Sequence, residues 1–344
     1  MKINRLFFLF AMLLVLSLAC KAEEPETAGK PKRLELGLKY IGELQTDFKG
    51  GYNFLNYLRL SGTLNITPEW RVHLTTLSTA KTNDCILGDM LVFSNIEVLE
   101  DIPLTLAVAG VEWERTTSSG THSVFAGIRN VNEDYFSSEL TAFYINSSCG
   151  IFPTIAANYP IANYPFASVG LHYAYDSKHW GAKASVYNGV GYYRFTGREN
   201  LFRVCPGSDG LFFLAQGEYK GSTGNYFLGG SMHKASPVLW TYAEQTVYES
   251  EKCDVGLIGA YSHCFDRDAF CRNFVGLGAK VGVKNIEMGL FTQYADFFDM
   301  HEFQTELNCS IPVSKNVYVM PALHYVNGST EKSLIGMMRL GVEL

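Results

Sequence analysis

A two-residue alternation of apolar and polar side chains constrains this chain more than any other feature. It persists over segments of about 9–12 residues, the length a tilted membrane-crossing strand requires. Across 301–311 one face carries Phe303, Thr305, Leu307, Cys309 and Ile311, and the other carries Glu302, Gln304, Glu306, Asn308 and Ser310. The same alternation sets Leu334, Met338, Leu340, Val342 and Leu344 against Ser333, Arg339 and Glu343. Near the start, Leu34, Leu36, Leu38 and Tyr40 oppose Glu35, Lys39 and Glu43. Ile286, Met288, Leu290 and Tyr294 oppose Glu287 and Gln293, and Val169, Leu171, Tyr173 and Tyr175 oppose Ser168 and His172. Successive side chains of a strand point to opposite faces, so each segment has one oily face and one wettable face.

A soluble sandwich also has one wet face. Two further features favour a closed barrel in a membrane. Aromatics stand at segment ends (Tyr40, Trp70, Trp113, Tyr175, Trp180, Tyr219, Tyr294, Tyr325), as an interfacial girdle would place them. Connections also come in two sizes. Tight turns fall at Thr67-Pro68-Glu69, at Val313-Ser314-Lys315 and around Lys284, and longer polar stretches at 46–53, 188–209, 263–272 and 326–332. That alternation marks an up-and-down barrel with short periplasmic turns and long outer loops. Roughly 17 segments can be counted, and barrels of this kind have an even number of strands. Sixteen is the expectation and eighteen the alternative, with 88–97, 138–147 and 239–248 the doubtful segments. An all-β transmembrane antiparallel barrel that wide leaves an aqueous channel rather than a packed interior.

The N-terminal segment stands apart. Lys2 and Arg5 precede an apolar run over 6–18, with small residues at Ala19 and Ala22. This is the layout of a secretory signal peptide over 1–22, cleaved after Ala19 or Ala22, or lipidated at Cys20. The barrel domain is expected to span 23–344. Beyond the signal no segment offers the roughly 18 consecutive apolar residues of a spanning helix. Yet 47% of residues are hydrophobic and only 18% are charged, against about 25% charged in ordinary soluble domains. A net charge of −6 argues against a nucleic-acid partner. Of eight cysteines, seven remain if Cys20 leaves with the signal, and an odd number cannot all pair. Cys264 and Cys271 bracket a short polar stretch and could close one loop. No metal-ligand spacing, phosphate-binding glycine loop, H-E-x-x-H or G-x-S-x-G is present, so neither metal nor cofactor is expected.

The stretch 127–175 departs from the strands around it. It contains G-I-R-N-V-N-E-D-Y-F, then A-F-Y-I-N-S-S-C-G-I-F-P-T-I-A-A-N-Y-P, then Y-P-F-A-S-V-G-L-H-Y. It resembles the carbohydrate-selective porins of Gram-negative outer membranes, the OprB type, in its N-x-N-E run, its N-S-S-x-G segment and its Tyr-Pro before a small-residue strand. Ser94-Asn95-Ile96-Glu97 and Tyr187-Asn188-Gly189 resemble family elements too, so the detailed likeness covers about a third of the chain. It implies a 16-stranded porin that passes sugars by diffusion, narrowed by loops folded inward around 131–166. It leans toward a monomer, surrounded by outer-membrane lipid and delivered by periplasmic chaperones and barrel-assembly machinery.

Selecting an uncharged sugar requires side chains that replace its hydrogen bonds to water, and carboxylates and guanidinium forks do so strongly. The candidates for the constriction are Arg129, Glu133, Asp134 and Asn146, with Tyr193, Arg194 and Arg198 from the connection after Asn188. If that connection folds inward, its arginines face the carboxylates and Tyr192 and Tyr193 offer rings to sugar faces. Lys39, Arg59, Arg71, Glu302, Glu306, Arg339 and Glu343 fall on polar faces and are expected to line the lumen, as are His73, His172 and His324. Two other classes stay open. One is a barrel plugged by 129–166 that serves structure or surface binding. The other is an outer-membrane lipid hydrolase in which His172 or His263 meets a distant serine.

Overall fold

The computed structural model describes residues 33–88, 90–328 and 332–344. The signal segment 1–22 and Cys20 lie outside the described residues. Sixteen antiparallel strands close into a barrel in which each strand pairs with its neighbours in sequence. They are β1 Leu34–Thr46, β2 Tyr52–Asn65, β3 Trp70–Lys81, β4 Ile102–Thr116, β5 Thr121–Arg129, β6 Ser168–Asp176, β7 Trp180–Asn188 and β8 Leu211–Lys220. The second half comprises β9 Gly224–His233, β10 Ser236–Glu249, β11 Cys253–Cys264, β12 Cys271–Val283, β13 Ile286–Phe297, β14 Met300–Ser314, β15 Val317–Asn327 and β16 Lys332–Glu343. β1 closes on β16, with Lys39 opposite Glu343 and Glu43 opposite Arg339. Of the doubtful segments, 239–248 is strand, whereas the described residues of 88–97 and all of 138–147 are not: both stretches run inside the barrel. Their aromatic and aliphatic residues mimic strand alternation because they too pack one side against a wall.

Outward positions match the expected faces. On β13 and β14, Leu290 and Leu307 sit opposite one another and are about half exposed on the outer wall, while Gln304 and Glu306 point inward and are buried. Rows of outward aromatics flank this apolar wall. At the short-turn end Trp180 packs its ring 4.9 Å from Tyr219, which stacks on Tyr226. Among the described residues no helix is long and apolar enough to cross a membrane. The oily band is made of strands.

Connection lengths differ from expectation in one respect. Turns at 117–120, 177–179, 221–223, 250–252, 284–285 and 315–316 are short, as expected of one end. At the other end, 234–235 and 298–299 are equally short. The length at that end is concentrated in 82–101, 130–167 and 189–210, three connections that interlock through backbone bonds such as Asn95 N–H to Ile145 O at 2.7 Å and Gly191 N–H to Pro160 O at 2.8 Å.

The inner wall also departs from a uniformly wettable one. On β8–β13 many inward residues are large and apolar: Phe212, Leu214, Phe227, Trp240, Tyr242, Ile258, Phe274 and Phe291 are all buried. The inserted stretch supplies their partners. Phe152 stacks on Phe274 with centroids 5.3 Å apart, Phe136 lies 5.1 Å from Trp240, and Tyr144 lies 4.9 Å from Phe291. Inward Gly289 provides a seat, since a Cβ there would fall 2.9 Å from the Tyr144 ring. Burying each such ring is worth about 1.5–3 kcal/mol, so the insertion is held by its own small core. Cys264 and Cys271 belong to that core as free, buried thiols and not as a loop-closing bridge.

Because Leu307 faces lipid midway along β14, Leu307→Arg is expected to destabilise the barrel by about 2–4 kcal/mol. Urea unfolding in liposomes measures this, with Thr305→Ser as the outward control at no more than about 1 kcal/mol.

Candidate constriction and its anchors

Strand β5 ends at Arg129 and the chain turns into the lumen. A short helical turn, Val131–Glu133, then presents two carboxylates in succession. Glu133 reaches back to β2, where Arg59 grips it with two bonds of 2.8 Å. Asp134 takes Arg129 through Nε at 2.7 Å and Nη2 at 2.5 Å. The Arg129 guanidinium also lies over the Phe125 ring, 4.6 Å from its centroid. Lys183 Nζ donates to the Asp134 carbonyl at 2.7 Å. Two paired guanidinium–carboxylate forks thus stand where the insertion meets β2–β7.

Exposure separates the two pairs. The Arg129 and Asp134 side chains are 17% and 5% exposed, whereas Arg59 and Glu133 remain 29% and 16% exposed. The Arg59–Glu133 pair is the more open of the two. Neighbouring inward charges on β3 and β4 are partly exposed as well: Arg71 bonds Glu114 at 2.7 Å, and His73 Nε2 lies 2.9 Å from Glu112. Lys39 pairs with Glu343 at 2.5 Å near the short-turn end, both half exposed.

Glu302, Glu306 and Arg339 face inward too, but they are buried. Their partners are the inserted segments. Glu302 accepts from the backbone N–H groups of Met90 and Leu91 at 3.1 and 2.7 Å. Glu306 accepts from Ile145 N–H, Asn146 N–H and Asn146 Nδ2 at 2.8, 3.0 and 2.6 Å. Asn146 is wholly buried, and its Oδ1 accepts from Cys149 N–H, capping the turn Ser147–Cys149. Arg339 joins Glu43 at 2.6 Å and Asn95 Oδ1 at 2.8 Å. These wall residues hold the insertion by charge-assisted bonds to otherwise unsatisfied amides. Glu244, which accepts from Leu140 N–H at 3.1 Å, is a further anchor that no sequence signal singled out.

Tyr193, Arg194 and Arg198 lie elsewhere. The Tyr193 hydroxyl donates to Glu100 at 2.5 Å, Arg194 donates to that hydroxyl at 3.1 Å, and both arginines are exposed. They stay at the outer end and do not face Glu133 or Asp134. The organising residue of their connection is Asp209, which the sequence reading passed over. Its carboxylate accepts from Arg203 Nε at 3.0 Å, Ser208 Oγ at 2.6 Å, Asn188 Nδ2 at 2.9 Å and Tyr192 OH at 3.0 Å. Burial disfavours its charge, but these donors outweigh burial and hold the carboxyl well below the ordinary carboxylate range.

A serine does meet a histidine. His172 Nδ1 lies 2.7 Å from Ser185 Oγ, and its Nε2 lies 3.5 Å from Asp134. The grouping faces inward, Ser185 also bonds the Tyr135 hydroxyl at 2.8 Å, and Arg129 already occupies Asp134. A lipid hydrolase would need such a set on the outer wall, where His263 bonds Asn273 instead. Among the described residues no three His, Cys, Asp or Glu side chains gather to hold a metal.

No family model matches the sequence, and no curated protein matches it either. Solved structures do share its fold. OprB of Pseudomonas putida at high pH aligns over 91% of this chain and 94% of its own, with a TM-score of 0.74 at 13% identity. A mutant of Rh. blastica porin aligns over 90% and 100%, with a TM-score of 0.56 at 10% identity. A loop-deletion mutant of OmpT, an outer membrane protein of Vibrio cholerae, aligns over 90% and 99%, with a TM-score of 0.57 at 10% identity. The chain has the 16-stranded porin fold.

Glu306→Leu strips two buried amides of their acceptor, at about 1–3 kcal/mol each. Hydrogen exchange should rise at Ile145 and Asn146 while the β13–β15 amides stay protected. Asp209 is stabilising above the ordinary carboxylate range and loses that effect as pH falls through its lowered value. Protection of the amides across 189–210, with the intrinsic pH dependence of exchange divided out, should therefore hold from pH 7 down to about 4 and fall only below that. In Asp209→Asn that protection should be low throughout.

Proposed function

We propose that this chain is an outer-membrane porin through which carbohydrates and other small polar solutes diffuse passively. One observation carries the reading. On the β2–β5 side of the lumen, partly exposed charges of both signs run from Arg59 and Glu133, beside the insertion, toward the short-turn end through Glu112, Arg71 and Glu114. A sugar passing there exchanges water hydrogen bonds for charge-assisted ones that are strong enough to select and few enough to release. The apolar outer band and aromatic rows suit residence in the outer membrane. The fold shared with OprB and the likeness of 127–175 to carbohydrate-selective porins support the solute class. A monomer surrounded by lipid, delivered by chaperones and barrel-assembly machinery, fits the same reading.

In this view Arg59, Glu133 and, less accessibly, Arg129 and Asp134 form the constriction, with Asn146, Glu302 and Glu306 positioning it. Arg194, Arg198 and Tyr193 act at the entrance. A second reading has its own observation: the insertion is packed against β8–β15 through two apolar clusters, as a sealed barrel would require.

Conductance of the purified barrel in a planar bilayer decides between them. Open-channel current, reduced when glucose is added, is expected; silence from correctly folded protein points to the sealed barrel. Glu133→Gln leaves Arg59 unpaired, so it should shift ion preference toward anions and weaken sugar block several-fold. Glu302→Gln should change ion preference little, since its carboxylate is sequestered by backbone amides.

A further inference from the structure

The outer wall has a stretch over which its tall side chains give way. On β13–β15 an outward row runs Leu290–Leu307–Leu323 across the ladder. On β7–β9 an outward row runs Ala184–Ala215–Gly230 instead, and it ends against Tyr173 on β6 and Leu239 on β10. Three adjacent strands thus carry nothing larger than a methyl group between flanks a full side chain high. The next row toward the long connections, Val186–Phe213–Met232, forms one flank. Leu239 leans over the end of the floor, since a Cβ on Gly230 would fall 3.0 Å from its Cδ2. The result is an open trough of about 710 Å³ on the lipid-facing side.

Its chemistry is apolar outward and polar only behind. The serines beside the floor, Ser185 and Ser231, alternate to the inner face and are buried. Charge enters at the mouth. The flank meets β10 at the pair Met232–Pro237, and the turn just beyond contains Lys234, which is exposed. The Lys234 stem lies beside Gly210, where a Cβ would fall 3.3 Å from Lys234 Cγ.

These features select an occupant. An unfilled trough forfeits dispersion contacts along its lining. Protein partners in a membrane pack on small residues and add polar side chains across the contact, and this floor turns no polar side chain outward. A single alkyl chain needs no such groups and bends to follow the floor. An ammonium at the membrane surface attracts an anionic lipid head group. We propose that the trough is a binding site for an acyl chain of a lipid with a phosphate head group, the chain lying on Ala184, Ala215 and Gly230 and the phosphate facing Lys234. The inference goes beyond the transport reading and does not rest on it, because it concerns the outer wall and needs only the membrane setting.

The test uses the full barrel in detergent micelles with dimyristoyl phosphatidylglycerol as probe, counting retained lipid by native mass spectrometry. One tightly retained molecule is expected. Ala215→Leu fills the floor and should abolish that retention. Ala184→Leu should do the same from the neighbouring strand, which keeps the test decisive if one variant does not fold. Leu290→Ala, far round the wall, should leave retention unchanged. Lys234→Gln should weaken it about fivefold, the share of one lysine at an anionic membrane surface, and should leave dimyristoylglycerol, which lacks the phosphate, unaffected. Retention as in wild type in both leucine variants would overturn the site, and so would a wild-type barrel that retains no lipid. A wild-type dimer that Ala215→Leu splits into monomers would overturn it too, making the trough an interface between copies. An unchanged affinity in Lys234→Gln would overturn the phosphate assignment. Lipid retained as expected by a barrel that does not conduct would support the site and count against the transport reading instead.

Discussion

Inside lipid no water is available to satisfy a backbone N–H or C=O, so every peptide group must find its partner within the protein. Closing β1 on β16 does this for all sixteen strands at once. Sheet edges vanish, and only then can the outward face be given wholly to Leu, Val, Phe and Tyr. Pairs such as Leu290 and Leu307 are both outcome and requirement of that closure. A chain that left β1 and β16 unpaired would expose two rows of unsatisfied amides to hydrocarbon.

Closure at this strand number creates a second problem, because the ring is too wide for its own inward side chains to fill. Two of the three long outer connections, 82–101 and 130–167, answer it by entering the lumen, where their irregular backbone carries amides that must be satisfied in turn. Wall carboxylates do this: Glu302 for Met90 and Leu91, Glu306 for Ile145 and Asn146, Glu244 for Leu140. Arg339 bridges Glu43 to Asn95 on the facing side. Apolar seats on β8–β13 take the aromatic rings between these anchors. The insertion therefore behaves as a small domain fastened to the wall on both sides, by these anchors and by the packing of Ile96 against Ile41, Leu55 and Tyr57.

Much of this could be read from the chain. The two-residue alternation of 301–311 and 286–294 gave strand faces, and turn spacing with an even-number rule led to sixteen strands. Segments 88–97 and 138–147 misled the strand count because a segment packed against a wall alternates like the wall itself. The inward aromatics Phe212, Trp240 and Phe274 were illegible as lumen residues, since a strand apolar on both faces looks like any buried strand until its partner is known. Glu133 and Glu306 are chemically alike in sequence. Only the fold says that one meets Arg59 at a partly exposed site and the other disappears beneath two backbone amides.

That difference is an argument about what a porin's charged residues are for. A carboxylate whose oxygens are all engaged by fixed amides has no capacity left for a passing solute, however close it lies to the axis. A carboxylate held by a single arginine, with water on its free side, keeps acceptor capacity and a local field. By that criterion the surface proposed for selection is the β2–β5 side. On the opposite side Glu302, Glu306 and Glu244 are engaged by backbone amides of the insertion. Fully engaged polar groups fasten the insertion to the wall, and the proposed transport role falls to the incompletely engaged ones.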